Sequence, residues 1–551
     1  MLTPFGRVVV ALLVLLVAGV TFLVVRDDDP GGPSGARDDR IFGSNDPIAR
    51  ACDLAPKELA RLWRGHDELH SEDVTTVPLP PNYSGSFGTT SHSGPWDYLQ
   101  KVPLVLYGPG NIRSNGPLND PVGIADVYPT AGRLTGVDLP PRAGRPLDAA
   151  LEPDASPKVI VTVVWDGIGR NVLERWPDRW PNLKRLGSEG TSYVEAVVGS
   201  SPSITPATHA TLGTGAYPRQ HGMTAIEMRL SDGRVGGAFA GRDPRQLRLT
   251  TFADEIDLAL DNVPVVGMLA WKSWHLGMLG HGTQTTGGDA DQLGLIGDGI
   301  SGNDAFYSTP EEIASFRGIK SYADELDRAD GSADGQWRGH DILEQHDNPA
   351  WVGYQTDALL AMLAGQGYGS DDVPDLFFTN YKPTDIVAHQ HNMDSEEMGA
   401  VLEAQDAALG DLVDHLDRRV KDYVVIVTAD HGNTPPATRS DAWPLLQGRL
   451  QESIDARFDV PAGRSLVEQT TAAGPFLDRK MMRRLKVTAE DVARFLNGYT
   501  IRDNWREENL PEGYGGRGDE NVLAAAYPSD RIRDVLQCAF DAPKPPEDVG
   551  V

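Results

Sequence analysis

The chain has 551 residues, of which 40% are hydrophobic and 23% charged, and a formal charge of −29. That balance belongs to a globular protein and excludes a disordered one. It also argues against a nucleic-acid partner, because binding a phosphate backbone needs clustered Lys and Arg.

Residues 8–25 form an uncharged apolar run, close to the shortest length that spans a membrane as a helix. Arg7 precedes the run and Asp27, Asp28 and Asp29 follow it, so the positive-inside rule leaves the amino terminus in the cytoplasm. The alternative is a cleaved signal peptide. In both cases the bulk of the chain is exported. The expected organisation is an anchor at 1–26, a tether rich in Asp, Gly, Pro and Ser at 27–40, and one main domain at 41–551. The expectation is a single-pass protein of the cell membrane with its main domain outside the cytoplasm. Only two cysteines occur, Cys52 and Cys538. In an oxidising compartment they are expected to pair as a disulfide, with two buried thiols as the alternative.

Strand-like apolar runs occupy 158–166 (KVIVTVVWD), 263–271, 376–379 and 424–428. Between the last two, 394–418 has helical periodicity. Met398, Leu402, Leu409, Leu412 and Leu416 share one side, Gln405 interrupts the stripe, and Ser395 is placed to cap the amino end. Alternating strands and helices predict an α/β fold with three layers and a mostly parallel central sheet. Functional residues of such sheets gather at the carboxyl ends of the strands, where Asp166, Asp385 and Asp430 fall. The Gly- and Asp-rich stretch at 280–340 is expected to be an insertion over the active face. The segment 435–541 reads as a second insertion, low in chemical content.

Three motifs carry the chemistry. Asp166-Gly167 closes a strand. In 201–222 (SPSITPATHATLGTGAYPRQHG) Thr205 precedes Pro206, a pairing that predicts Thr205 at the N-cap of a helix, beside free N–H groups and the positive end of the dipole. The bland reading is capping; the chemical one is a nucleophile that carries a phosphoryl group. The third motif is Asp430-His431, directly after a buried strand, where such a pair can reach a metal.

This set, in this order, resembles the alkaline phosphatase superfamily, and within it the nucleotide pyrophosphatase/phosphodiesterase-like branch. The most specific part of the resemblance is Thr205 four residues before His209, followed by Thr214-Gly215, Tyr217-Pro218 and His221-Gly222. The resemblance implies an alkaline phosphatase-like fold with two divalent ions, usually zinc, flanking a threonine nucleophile. One ion would take Asp166, Thr205, Asp430 and His431; the other would take Asp385, His389 and a distant second histidine. The family places that histidine after the Asp-His pair, but this chain has none beyond His431. The stretch 88–110 (GTTSHSGPWDYLQKVPLVLYGPG) resembles a segment that lies late in such phosphatases, and 125–137 resembles their closing helix. The chain therefore looks circularly permuted, with 76–151 as the transferred end of the fold and His92 as the missing ligand. His391 is the runner-up. A permutation also requires the new ends to meet in space, which a Cys52–Cys538 disulfide would suit.

The resemblance implies hydrolysis of phosphate esters, mono- or diester, through a phospho-threonine. The substrate would be a small-molecule or lipid-linked ester. Lys272 and Lys382 are candidates for binding it, with surface lysines as the alternative. The diesterase branch carries an Asn clamp, whose position falls near Ile226 or Glu227 here. The rival classes are a transferase moving a phospho-group onto a lipid or envelope polymer, and a binding protein that keeps the fold without a full metal set. Formylglycine sulfatases are disfavoured by Thr205 at the nucleophile position.

Overall fold

The structure, a computed structural model, describes residues 44–297, 303–316, 318–329 and 331–538. The expected membrane anchor and tether lie outside the described residues, among which no helix is long and apolar enough to cross a membrane.

The centre of the fold is an eight-stranded sheet. In chain order its strands are Leu104–Tyr107 (β1), Gly116–Leu118 (β2), Val159–Trp165 (β3), Thr191–Tyr193 (β4), Val266–Ala270 (β5), Gln292–Leu295 (β6), Asp375–Tyr381 (β7) and Tyr423–Thr428 (β8). Across the sheet they run β6-β5-β7-β3-β8-β1-β4-β2. The first five in that row are parallel neighbours. β1 is antiparallel to both of its neighbours, and β2 is parallel to β4. Only β1 runs against the rest. Every side chain of β3, β7 and β8 is buried. Because neighbouring side chains point to opposite faces, both faces of the sheet must be covered, which is why these strands read as unbroken apolar runs.

The main helices are Val127–Thr135 (α1), Thr205–Thr214 (α2), Phe252–Ala259 (α3), Pro349–Gly365 (α4), Pro383–His391 (α5) and Glu396–Arg419 (α6). All six contribute to the same apolar core as the sheet. Ser395 caps α6 by accepting a hydrogen bond from the Met398 N–H at 3.2 Å. The apolar stripe of α6 is buried along its length, each large residue contributing roughly 1.5–3 kcal/mol. Gln405, its polar interruption, is fully buried with Oε1 3.2 Å from Thr384 Oγ1, so the polar residue faces the site and not solvent.

Two expected insertions carry more order than their composition suggests. Within 280–340, β6 joins the edge of the central sheet beside β5. Within 435–541, a second apolar core gathers Trp443, Leu450, Ile454, Leu496 and Tyr499. There Leu523–Pro528 pairs antiparallel with Val74–Pro78. Cys52 and Cys538 form a disulfide, with Cα atoms 5.4 Å apart. Beside it the buried Arg50 guanidinium donates to the carbonyls of Ala524 and Leu523 at 2.8 and 2.7 Å. The two ends of the described chain are thus joined covalently, by a strand ladder and by a shared apolar cluster.

Candidate active site

The parallel strands end in register, with Tyr381 opposite Trp165 and Thr428 opposite Val164. The residues just after those ends therefore emerge along one edge: Asp166 after β3, Lys382 and Asp385 after β7, Asp430 and His431 after β8. Thr205 arrives on the first turn of α2. It is the first helical residue, one position later than the N-cap expected from its sequence. Ile204 holds the extended N-cap conformation (φ −139°, ψ 143°) and Pro206 occupies the second position of the helix.

His92 comes from the loop before β1, and three contacts seat it. The Thr90 N–H and hydroxyl both donate to the Ala388 carbonyl on α5, each at 3.0 Å. The Thr434 N–H donates to the Ser91 carbonyl at 2.7 Å. The His92 ring then stacks on His431, with centroids 3.5 Å apart and planes 9° from parallel. Its Nδ1 is 2.9 Å from the Ser203 carbonyl, which takes the Nδ1 proton and leaves Nε2 as a lone pair, 3.7 Å from Asp385 Oδ1.

Around this pair the other acidic and basic groups converge. His431 Nε2 lies 3.4 Å from Asp430 Oδ2, 3.8 Å from Asp166 Oδ1 and 3.9 Å from Asp385 Oδ1. The Lys382 ammonium donates to Asp166 Oδ1 at 2.9 Å, Asp385 Oδ2 at 2.8 Å and the Thr205 hydroxyl oxygen at 3.2 Å. Two triads, Asp166–Asp430–His431 and His92–Asp385–His431, have ligand atoms mutually within 4.8 Å, and all five residues are buried. His389 stands at the rim, its Nε2 3.4 Å from Asp385 Oδ1 and its side chain 43% exposed. His391, the runner-up, turns away to Asp347 Oδ2 at 2.7 Å.

The polar atoms facing the centre decide whether these residues suit metal ions. Asp385 Oδ1, Asp430 Oδ2 and His431 Nε2 are buried without a hydrogen-bond partner. Such atoms cost free energy unless something pairs with them, and these three face one another. Three carboxylates against one ammonium also leave the site short of positive charge. Burial pushes the Asp430 carboxyl well above its usual range, reinforced by Asp166. Burial alone would do the same to Asp166 and Asp385, but Lys382 and the neighbouring histidines hold both below the usual range. Burial lowers His92, and takes His431 to about 4, so both imidazoles are neutral near pH 7, the form that ligates metal. The donor set of carboxylates and imidazoles suits a borderline divalent ion.

Of the two lysines, Lys382 is buried in the centre of the site, not on the surface. Burial opposes its charge, but Asp166, Asp385 and Asp430 outweigh that cost and raise its pKa. Lys272 is half-buried, with its ammonium 4.7 Å from the centre of the Trp274 ring. Lys382 approaches the same ring at 6.0 Å.

Sequence reasoning missed His275 and Asn380. Asn380 donates to Asp166 Oδ2 at 3.0 Å and to His209 Nε2 at 2.9 Å. His275 was expected to be an ordinary structural or surface histidine; it is fully buried with Nε2 3.5 Å from Asp166 Oδ2. Its Nδ1 accepts from the Lys272 N–H at 3.2 Å, so the neutral ring carries its proton on Nε2, toward the carboxylate. Gly213 of α2 and Gly277 explain the approach. A Cβ at Gly213 would lie 2.1 Å from the Gly277 carbonyl, so only glycine lets the turn after β5 press onto α2. The one available signal was position, five residues past the end of β5.

A cavity of 430 Å³ opens beside the site, lined by Ser91, His92, Ile204, Ile226, Glu227 and His389 among others. Ile226 and Glu227, the positions that correspond to the Asn clamp of the diesterase branch, thus face the approach to the site. A larger cleft of 1210 Å³ lies elsewhere and contains none of the site residues.

The sequence profile of type I phosphodiesterases/nucleotide pyrophosphatases matches residues 160–534. Alkaline phosphatase PafA of Elizabethkingia meningoseptica is 21% identical over 413 residues, which cover 62% of this chain and 72% of that protein. Alkaline phosphatase PhoV of Synechococcus elongatus is 22% identical over 333 residues, covering 51% of this chain and 60% of PhoV. Among solved structures, wild-type PafA superposes with a TM-score of 0.46 at 15% identity, over 67% of this chain and 84% of that one.

Proposed function

Because the chain belongs to the type I phosphodiesterase/nucleotide pyrophosphatase family and is a hydrolase of the alkaline phosphatase superfamily, we propose that it hydrolyses phosphate esters through a phospho-threonine at Thr205, with a preference for monoesters. The carrying observation is the trio of buried, unpartnered atoms beside Thr205, namely Asp385 Oδ1, Asp430 Oδ2 and His431 Nε2. In this reading two divalent ions, zinc in the family pattern, would be held by Asp166, Thr205, Asp430 and His431 and by Asp385, His389 and His92. When bound they would supply the charge neutralisation that transfer from an anionic ester needs.

The side chains account for the remaining steps. The Lys382 ammonium, already hydrogen-bonded to the Thr205 hydroxyl oxygen, stabilises the negative charge there as the hydroxyl proton passes to solvent, which in turn protonates the leaving oxygen. The first turn of α2 turns its positive end toward the same oxygen and toward the transferred group. Thr205 Oγ1 forms a bond to phosphorus as the bond to the leaving oxygen breaks, giving the alcohol and phospho-threonine. Water then cleaves the phospho-threonine, releasing phosphate and restoring the hydroxyl. His275 and Asn380 hold Asp166 in one orientation throughout. Two ammonium groups around Trp274 suit the double charge of a monoester, and the Asn clamp of the diesterase branch has no counterpart at Ile226 or Glu227.

The circular permutation belongs to the same proposal. It is supported by the seating of the 88–97 loop between α5 and the Asp-His pair, and by the joined ends of the chain. Location at the outer face of the cell membrane is proposed from the apolar run at 8–25, and the disulfide suits an oxidising compartment. A panel of monoester, diester and sulfate model substrates, run with wild type and Thr205→Ala, tests the reading. Hydrolysis of the monoester above all, abolished in the variant, is expected; full activity of Thr205→Ala would refute it. Transfer to an added acceptor in place of free phosphate would favour a transferase.

A further inference from the structure

α3, which packs against α2, carries two buried carboxylates with opposite surroundings, neither of them a residue of the candidate active site. Asp254 is fully engaged: its oxygens accept from the His281 N–H at 2.9 Å, the Thr285 hydroxyl at 2.9 Å and the Thr251 N–H at 2.8 Å, and His281 Nδ1 lies at 3.1 Å. Asp257 is as deeply buried, at 5% exposure, yet its Oδ1 has no hydrogen-bond partner. What it meets is more negative charge. Asp257, Asp289 and Asp291 bring one carboxylate oxygen each to within 4.8 Å of one another. Asp291 is also buried, at 6% exposure, while Asp289 is exposed at the mouth.

We propose that Asp257, Asp289 and Asp291 form a calcium site, structural in role and separate from the catalytic centre. All three donors are hard carboxylate oxygens, with no imidazole or thiolate among them, which selects calcium over zinc. Oxygen ligands sit about 2.3–2.6 Å from calcium, so two donors of one ion can be up to roughly 5 Å apart, and this triad fits inside that span. Burial drives the Asp257 carboxyl up to about 7, with Asp289 and Asp254 adding to the effect. Asp291 is raised by burial and by Asp254, Asp257 and Asp289. Among the described residues none of the three forms an ion pair, and the charged neighbours that act on Asp257 and Asp291 are all acidic.

The local backbone is built to bring these groups together. Asn262 donates from its N–H to the Asp257 carbonyl and from Nδ2 to the Gly287 carbonyl, both at 2.9 Å, while its own Oδ1 is buried without a partner. The Asp291 carbonyl accepts from the Ser308 N–H at 2.8 Å. An ion at this point would tie α3 to the loop that feeds β6, the edge strand of the sheet. It would also explain why a Gly- and Asp-rich stretch with weak periodicity folds into the sheet at all.

Equilibrium dialysis of the full chain against labelled calcium, with zinc saturating the catalytic site, tests the proposal. One calcium per chain is expected, together with a rise of several degrees in the unfolding midpoint on adding millimolar calcium. Asp257→Asn should abolish both effects. Asp289→Asn, an exposed substitution that leaves the fold intact, should weaken binding at least tenfold. Phosphatase activity at room temperature should be unchanged in both. No calcium bound at 5 mM, or undiminished binding by Asp289→Asn, would overturn the assignment.

Discussion

The imidazoles of His92 and His431 lie face to face, 3.5 Å between centroids, although one stands near the front of the chain and the other follows the last strand of the sheet. Their Nε2 atoms both look toward Asp385 Oδ1, at 3.7 and 3.9 Å. Stacked neutral rings that share one unpartnered carboxylate oxygen make sense when a cation is to sit among them. The same two residues would repel each other if charged, and burial keeps both neutral.

Lys382 donates to the Thr205 hydroxyl oxygen and to two carboxylates at once. Lys382→Met should lower kcat for a monoester by about 10²–10³, the usual cost of losing one donor at developing negative charge. Metal content should stay the same, and a diester, with one charge fewer on phosphorus, should suffer less. Steady-state kinetics on matched mono- and diester substrates would check this; equal losses on both would place Lys382 in general support of the site.

His275 touches Asp166 and not the reacting atoms, so it is a positioning residue. His275→Leu should reduce metal affinity by roughly 10–100-fold, as loss of an orienting partner does. Added metal should restore most of the activity, an outcome that a general packing defect would not give. Activity measured against metal-ion concentration, beside the melting temperature, separates the two.

Glu72 gives a pH test outside the site. Its buried carboxyl is pushed up to about 7 by desolvation, against 4.5 in an unfolded chain. Between those values the folded state binds the extra proton, so stability is fullest below about 4.5 and falls as the pH rises through 7. The whole contribution is roughly 3 kcal/mol, at about 1.4 kcal/mol per unit. Glu72→Gln cannot ionise, so the pH dependence of its unfolding should be flatter over that interval. Urea titrations of both proteins from pH 4.5 to 8 would show whether the curves converge at low pH.

Much of this was legible in the residues, and the limits have physical causes. β3, β7 and β8 announced themselves because strands buried on both faces need unbroken apolar runs. α6 was legible from its stripe and its Ser395 cap. Gly116–Leu118 and Thr191–Tyr193 are three residues long, too short to show a period of two. β6 was hidden by a Gly- and Asp-rich context, and its order comes from pairing with β5. Thr205 stands one residue inside its helix because Ile204 takes the extended cap. Lys382 read equally well as a surface lysine, since two of the three carboxylates that offset its burial, Asp166 and Asp430, come from distant parts of the chain, and only Asp385 is a near neighbour in sequence. His275 had only its position after β5 as a signal, because a contact between Gly213 and Gly277, invisible in sequence, carries it to Asp166.

The central claim is that His92 completes the second of two metal positions. Elemental analysis for transition metals on wild type and His92→Ala, each dialysed free of loosely bound ions, tests it most directly. The account predicts two ions per chain in the wild type and one in the variant, with phosphatase activity lost in parallel. Two tightly held ions and undiminished turnover in His92→Ala would contradict it.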